Sequence, residues 1–203
     1  MYLINGQLHP DYRLDAALEQ LHLDLPQRLG TALQRGTVLD AVAVFSTRLH
    51  DPDLPLEPEH RQSLIEFCQP DALQHKLQRE LGEQPDALRR IDYRESHFER
   101  WSPLGLVVHI TPGNAPLLAF CAVIEGLLAG NVNWLRPSSS DQGVTAQSLH
   151  ELAQCDATGQ IAAHVAVVPA STAQIGQLCQ QANGVSAWGG ESALQAIRQQ
   201  LAP

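Results

Sequence analysis

Three short segments carry residue types suited to holding a nucleotide or polarising an acyl group. Residues 110–116 (Ile-Thr-Pro-Gly-Asn-Ala-Pro) set the polar Asn114 directly before a very apolar stretch. A side-chain amide there either caps a helix or donates to a developing oxyanion. Residues 136–141 (Arg-Pro-Ser-Ser-Ser-Asp) place one cation ahead of four side chains that carry oxygen, which is either a solvated, Ser/Asp-capped loop or a set of phosphate and ribose contacts. Residues 187–191 (Ala-Trp-Gly-Gly-Glu) put paired glycines before a helix, giving either a tight turn or backbone N–H groups open to an anion. The other chemical residue types do not cluster. Cys68, Cys121, Cys155 and Cys179 are scattered and never form CxxC, and the nine histidines include no HExxH. No metal site is expected, and His109, inside an apolar run, reads as a packed core histidine. The dinucleotide fingerprint GxGxxG is absent, since Gly126, Gly130 and Gly143 do not reproduce it.

The elements needed to position these segments alternate in type. Residues 104–110 form a β-branched apolar run of the kind a buried parallel strand requires, and 115–129 an apolar helix closed by Gly130 and Asn131. Further strands are expected at 132–136, 164–168 and 184–188, with helices near 142–152, 172–181 and 191–201. This alternation predicts an α/β fold with a doubly wound, mainly parallel sheet. In such sheets ligands bind beyond the carboxyl ends of the strands, and all three polar segments fall there. Their shared position favours a nucleotide site over three unrelated turns.

The first hundred residues read differently. Leu14, Ala17, Leu18, Leu21 and Leu25 keep helical spacing up to a break at Pro26. Leu29, Leu33, Val38, Leu39, Val42 and Phe45 continue a helical pattern, with a second break possible at Gly36. A Pro-rich loop at 51–58 and helices at 61–68 and 72–81 follow. The expected organisation is a helical N-terminal region at 1–98 and an NAD(P)-binding α/β domain at 99–203.

Charge adds to this division. The formal net charge is −9, and residues 101–203 hold only Arg136 and Arg198 against Glu125, Asp141, Glu151, Asp156 and Glu191. An acidic chain lacks the basic face that nucleic acid or anionic lipid demands. So few charges imply either a Ser/Gln/Asn surface or coverage by further protein. No apolar run approaches a membrane span, and the opening residues resemble no signal peptide. Scattered cysteines suit a reducing cytoplasm.

Residues 103–116, with 127–131 (Leu-Leu-Ala-Gly-Asn), 136–141 and 187–191, resemble the LuxC-like acyl-CoA reductases of bacterial luminescence operons. That family lies within the aldehyde dehydrogenase superfamily, and the resemblance is in register over about 100–200. It implies an aldehyde-dehydrogenase-like Rossmann domain and an NADPH-dependent reduction of an acyl thioester to an aldehyde. In the family a cysteine thiolate displaces CoA and holds the acyl group before hydride transfer, a step that suits a strong nucleophile and good leaving group. The resemblance makes Asn114 the oxyanion donor. It assigns cofactor contacts to Thr111, Pro112, Arg136, Ser138, Ser139, Gly189, Gly190 and Glu191.

Two departures shape the expectation further. Arg136 stands where related dehydrogenases have Lys, and Ser139 stands where many NAD-specific relatives have Glu. Without that carboxylate a 2′-phosphate meets no repulsion, so NADP(H) is favoured over NAD(H). None of the four cysteines fits the nucleophile, whose place in the family is a later second domain. The chain is therefore expected to be a cofactor-binding fragment, inactive alone, of a cytoplasmic enzyme that acts as an oligomer or with a multi-enzyme partner. The alternatives are a non-catalytic truncated module that binds a nucleotide or partner, and an acyl-phosphate reductase of the same superfamily.

Overall fold

The computed structural model describes residues 1–10, 13–91, 93, 94 and 96–201, with the backbone alone for Pro116, Gln200 and Leu201. Asp11 and Tyr12 of the opening segment, and Ala202 and Pro203 of the expected cofactor domain, lie outside the described residues. The chain opens with a hairpin, β1 (Tyr2–Ile4) and β2 (Gln7–His9), that the helical reading of residues 1–98 does not contain. Three-residue strands are too short for their alternation to show, and Asn5 and Gly6, both at positive φ, make the turn. Four helices follow: α1 (Leu14–Leu29), α2 (Arg35–Arg48), α3 (Pro58–Phe67) and α4 (Pro70–Leu81). Pro26 does not break α1, because it lies one turn from the end while Leu18, Leu21 and Leu25 stay buried. Gly36 falls in the first turn of α2, where the helix is not interrupted. A two-stranded ribbon, β3 (Arg89–Arg90) with β4 (Phe98–Glu99), leads into the second half.

That half alternates as its sequence dictates: β5 (Leu106–Ile110), α5 (Pro116–Leu128), β6 (Val132–Arg136), α6 (Val144–Ala153), α7 (Gln160–His164), β7 (Val165–Val167), α8 (Thr172–Gln180), β8 (Gly184–Ala187) and α9 (Glu191–Leu201). His164 closes α7 instead of opening the strand. Both its ring nitrogens lie on carbonyl oxygens, of Gln160 and Thr31. The six-stranded order is β2-β1-β7-β6-β5-β8. Strands β7, β6, β5 and β8 run parallel, and β1 joins β7 antiparallel. The fold is thus α/β with a doubly wound, mainly parallel sheet. The chain winds outward from β5 through β6 to β7, then crosses back to lay β8 on the other side of β5. The direction of winding therefore reverses between β5 and β8, and in open α/β sheets ligands bind beyond the carboxyl ends of the strands at such a switch point.

Each sheet face has its own apolar core. On one, Val38, Val42 and Phe45 of α2 pack with Ala119, Phe120 and Val123 of α5 and with Leu135 and Val167 of the sheet. The Phe45 and Phe120 rings lie 5.9 Å apart. On the other, Leu18, Leu21 and Leu25 of α1 cover Leu106, Val108, Ile110 and Trp134, with α8 alongside. Each fully buried side chain of this size stabilises by about 1.5–3 kcal/mol. The charge-poor half is thus partly covered by the helices that precede it. Close approach also fixes Gly126 in α5, where an added Cβ would sit 1.9 Å from Asn133 Oδ1.

Candidate functional site

The turn after β5 holds Thr111, Pro112, Gly113 and Asn114. Its amide at Thr111 donates to Arg136 O, 3.3 Å away, and so is pinned to the end of β6. Helix α5 begins after Ala115, whose side chain makes no cap hydrogen bond. Asn114 is exposed and does not cap the helix, which leaves its amide for a ligand. The Thr111 hydroxyl differs. Its residue is only 3% exposed, and its Oγ1 has no hydrogen-bond partner. Thr111 can reach a solvent-side ligand through its backbone alone, while Pro112 beside it is half-buried.

The turn after β6 closes against the first. Ser138 Oγ and Ser140 Oγ lie 2.9 Å apart, and Ser140 Oγ donates to Gly113 O at 3.3 Å. A Cβ on Gly113 would come within 2.5 Å of Ser140 Oγ, so a larger residue would turn that hydroxyl away from Gly113 O. Asp141 accepts from the amides of Gly143 and Thr145 and from the Thr145 hydroxyl, which caps α6 with a carboxylate. Ser139 is exposed. Arg136 is half-buried, and its Nε donates to Ala170 O at 3.4 Å, which draws the guanidinium stem toward the end of β7.

The turn after β8 is looser. Trp188 N donates to Ile110 O at 2.9 Å, which extends the β5–β8 ladder into the turn. Gly189, Gly190 and Glu191 are exposed where α9 begins. A Cβ on Gly190 would meet no atom within 4 Å. The protein's own packing does not require glycine there, whereas a ligand lying on the backbone would. Free first-turn N–H groups and the positive end of the helix dipole suit a phosphate. The structure thus brings all the sequence-selected residues to the carboxyl ends of β5, β6 and β8.

The remaining titratable groups stay out of this chemistry. His109 is buried on β5, with Nε2 3.0 Å from Asn133 Oδ1, and burial pulls its pKa below the ordinary imidazole value. It is a neutral core residue. Burial pushes the Cys68 thiol up to about 12, with Cys121 nearby adding to the effect. Cys121, in α5, is likewise pushed to about 12 by burial and by Glu125. Cys155 and Cys179 are raised as well, mainly by burial. A thiol held protonated is a poor nucleophile. Among the described residues no group of three or more His, Cys, Asp or Glu could hold a metal, and no helix is long and apolar enough to cross a membrane. His60 of α3, which the sequence does not single out, lines a cavity with the turns after β5 and β6. Nothing in its polar helix marks it among nine histidines.

This winding, with polar turns at the switch point, defines a doubly wound α/β domain. Solved aldehyde dehydrogenases share the fold. A probable aldehyde dehydrogenase from Listeria monocytogenes EGD-e superposes with a TM-score of 0.64 at 12% identity, over 95% of this chain and 45% of that one. NADP-dependent glyceraldehyde-3-phosphate dehydrogenase from Bacillus halodurans C-125, complexed with NADP, gives 0.64 at 13% identity over 99% and 50%. Glyceraldehyde-3-phosphate dehydrogenase GapN from Methanocaldococcus jannaschii DSM 2661, complexed with NADP, gives 0.64 at 14% identity over 96% and 45%. The chain spans about half the length of these structures. No curated protein matches. The model of the acyl-CoA reductase (LuxC) family matches residues 40–203, and the chain belongs to that family.

Proposed function

We propose that this chain is the cofactor-binding part of an NADPH-dependent reductase that turns a fatty acyl thioester into an aldehyde. The observation that carries the reading is the gathering of the three turns at the carboxyl ends of the neighbouring strands β6, β5 and β8, in a chain of this family. Residues 99–203 supply the site and the helices of 1–98 support it. The adenosine end lies over Arg136, Ser138 and Ser139, and the pyrophosphate lies against Gly189, Gly190 and Glu191. The backbone of Thr111 and Pro112 lies between them. Glu191 opposes the phosphates slightly but is exposed and free to point to solvent. When bound, the dihydronicotinamide supplies the hydride. Asn114 donates to the oxygen that gains charge as the acyl carbon turns tetrahedral. The acyl-enzyme cysteine is none of the four here, since burial keeps each of them protonated. By itself the 203-residue chain is therefore inactive. NADPH-dependent turnover that vanishes on substituting one of these cysteines would refute that statement.

Cofactor choice gives the sharper test. Ser139 leaves space and a hydroxyl at the adenosine ribose, and Arg136 offers a cation. A charge-assisted contact of this kind contributes about 1.5–3 kcal/mol, or roughly 10–150-fold in affinity. Calorimetric titration should show NADPH binding more tightly than NADH, and Ser139→Glu should reverse the order. Equal affinities in the parent, or no effect of Ser139→Glu on NADPH, would remove the cofactor from this position.

A further inference from the structure

Most of the large apolar side chains that the described residues expose lie at 88–104, around the ribbon of β3 and β4, but one stands at the switch point of the sheet. Trp188, the first residue after β8, is 51% exposed. Its backbone is held by the Ile110 carbonyl, which continues the β5–β8 ladder by one residue. Its ring is oriented as well. The indole Nε1 donates to Ser186 Oγ at 3.3 Å, which turns the polar edge back along its own strand. Alternation along the strand then gives the face. Val185 and Ala187 pack against the core that holds α1 and α8, so Ser186 and Trp188 stand on the opposite face, the one covered by α5. The turn that carries Asn114 leads into α5 on that same face. Trp188 therefore lies between Asn114, after β5, and the open Gly189 and Gly190 where α9 begins.

We propose that Trp188 is the residue by which this site tells the oxidised cofactor from the reduced one. The inference rests on the cofactor placement proposed above. With the pyrophosphate on Gly189 and Gly190, and a hydride to be delivered beside Asn114, the nicotinamide ring has to span the gap over Trp188. That ring carries a positive charge in NADP⁺ and none in NADPH. An indole face, the best of the aromatic side chains at attracting a cation, holds the charged ring more tightly than the neutral one. Glu191, exposed three residues on, favours the cation too, and a substitution at Trp188 leaves it in place. After hydride transfer the ring gains the charge that the indole attracts. The spent cofactor is therefore retained, and occupancy of the site follows the ratio of NADP⁺ to NADPH.

Calorimetric titration of the chain itself tests this, with three ligands: NADP⁺, NADPH, and adenosine 2′,5′-bisphosphate, which has the adenosine end and no nicotinamide. Trp188→Leu keeps an apolar side chain and removes the π face. It should weaken NADP⁺ by about 2–30-fold relative to NADPH, the range for one cation–π contact, and leave the affinity for the bisphosphate unchanged. Trp188→Phe keeps a weaker face and should fall between the parent and Trp188→Leu. Equal losses for NADP⁺ and NADPH, no loss for either, or a matching loss for the bisphosphate overturns the role of Trp188 and leaves the cofactor placement standing. A parent chain that binds none of the three ligands removes the cofactor site, and this inference with it.

Discussion

The turns after β5 and β6 and the turn after β8 end neighbouring parallel strands, yet they are built on opposite principles. The first pair is knitted together: Thr111 N to Arg136 O, Ser140 Oγ to Gly113 O, and a glycine at 113 that leaves room for that hydroxyl. The β8 turn is held at one point, Trp188 N to Ile110 O, and beyond it Gly189 and Gly190 stand open. Burial follows the same division. Strand β5 is fully buried, while β8, at the sheet edge, is half-buried throughout. A group that must stabilise transient charge has to be placed before the charge appears, and the knitted side can do this. A group that admits and releases a phosphate needs open backbone, and the β8 side offers it.

The largest effect expected from this contrast is at Asn114. In a catalytically competent form, Asn114→Ala should lower turnover by about 10²–10³-fold, the usual loss for one such donor, with cofactor affinity and melting temperature little changed. Because α5 takes no cap from this side chain, a fall in melting temperature with turnover intact would return Asn114 to a structural role.

The two glycines separate the regions directly. Gly113→Ala should destabilise by about 0.5–1.5 kcal/mol, the net worth of the Ser140 hydrogen bond that the new Cβ would displace. Gly190→Ala should leave stability unchanged or slightly raised, since its Cβ meets nothing. Its effect should fall on NADPH affinity, by about tenfold. Thermal melts and calorimetry on both variants give four numbers. If Gly190→Ala costs stability while Gly113→Ala does not, the comparison is inverted.

Much of this was legible in the chain. The apolar runs after residue 103 announced the strands and helices, because parallel strands buried on both faces leave continuous β-branched stretches. The polar turns could be read because a polar residue between a buried strand and a buried helix has few structural uses. What could not be read depends on contacts distant in sequence. The hairpin of β1 and β2 is fixed by pairing with β7, and Leu3 faces Val167 across that ladder. His60 reaches the site only because α3 packs on α5 through Leu64 and Phe120. Pro26 suggested a break that burial of α1 overrode.

On the proposed function, the turns after β5, β6 and β8 together hold the cofactor. Backbone amide NMR of the ¹⁵N-labelled chain, titrated with NADPH, reads this placement residue by residue. The predicted result is saturable shifts at 111, 113, 114, 138–141 and 188–192, strongest at Gly189 and Gly190, with the ribbon of β3 and β4 unaffected. Shifts confined to that ribbon or to residues 28–35 at the opposite ends of the strands would contradict it, as would no shift at millimolar NADPH.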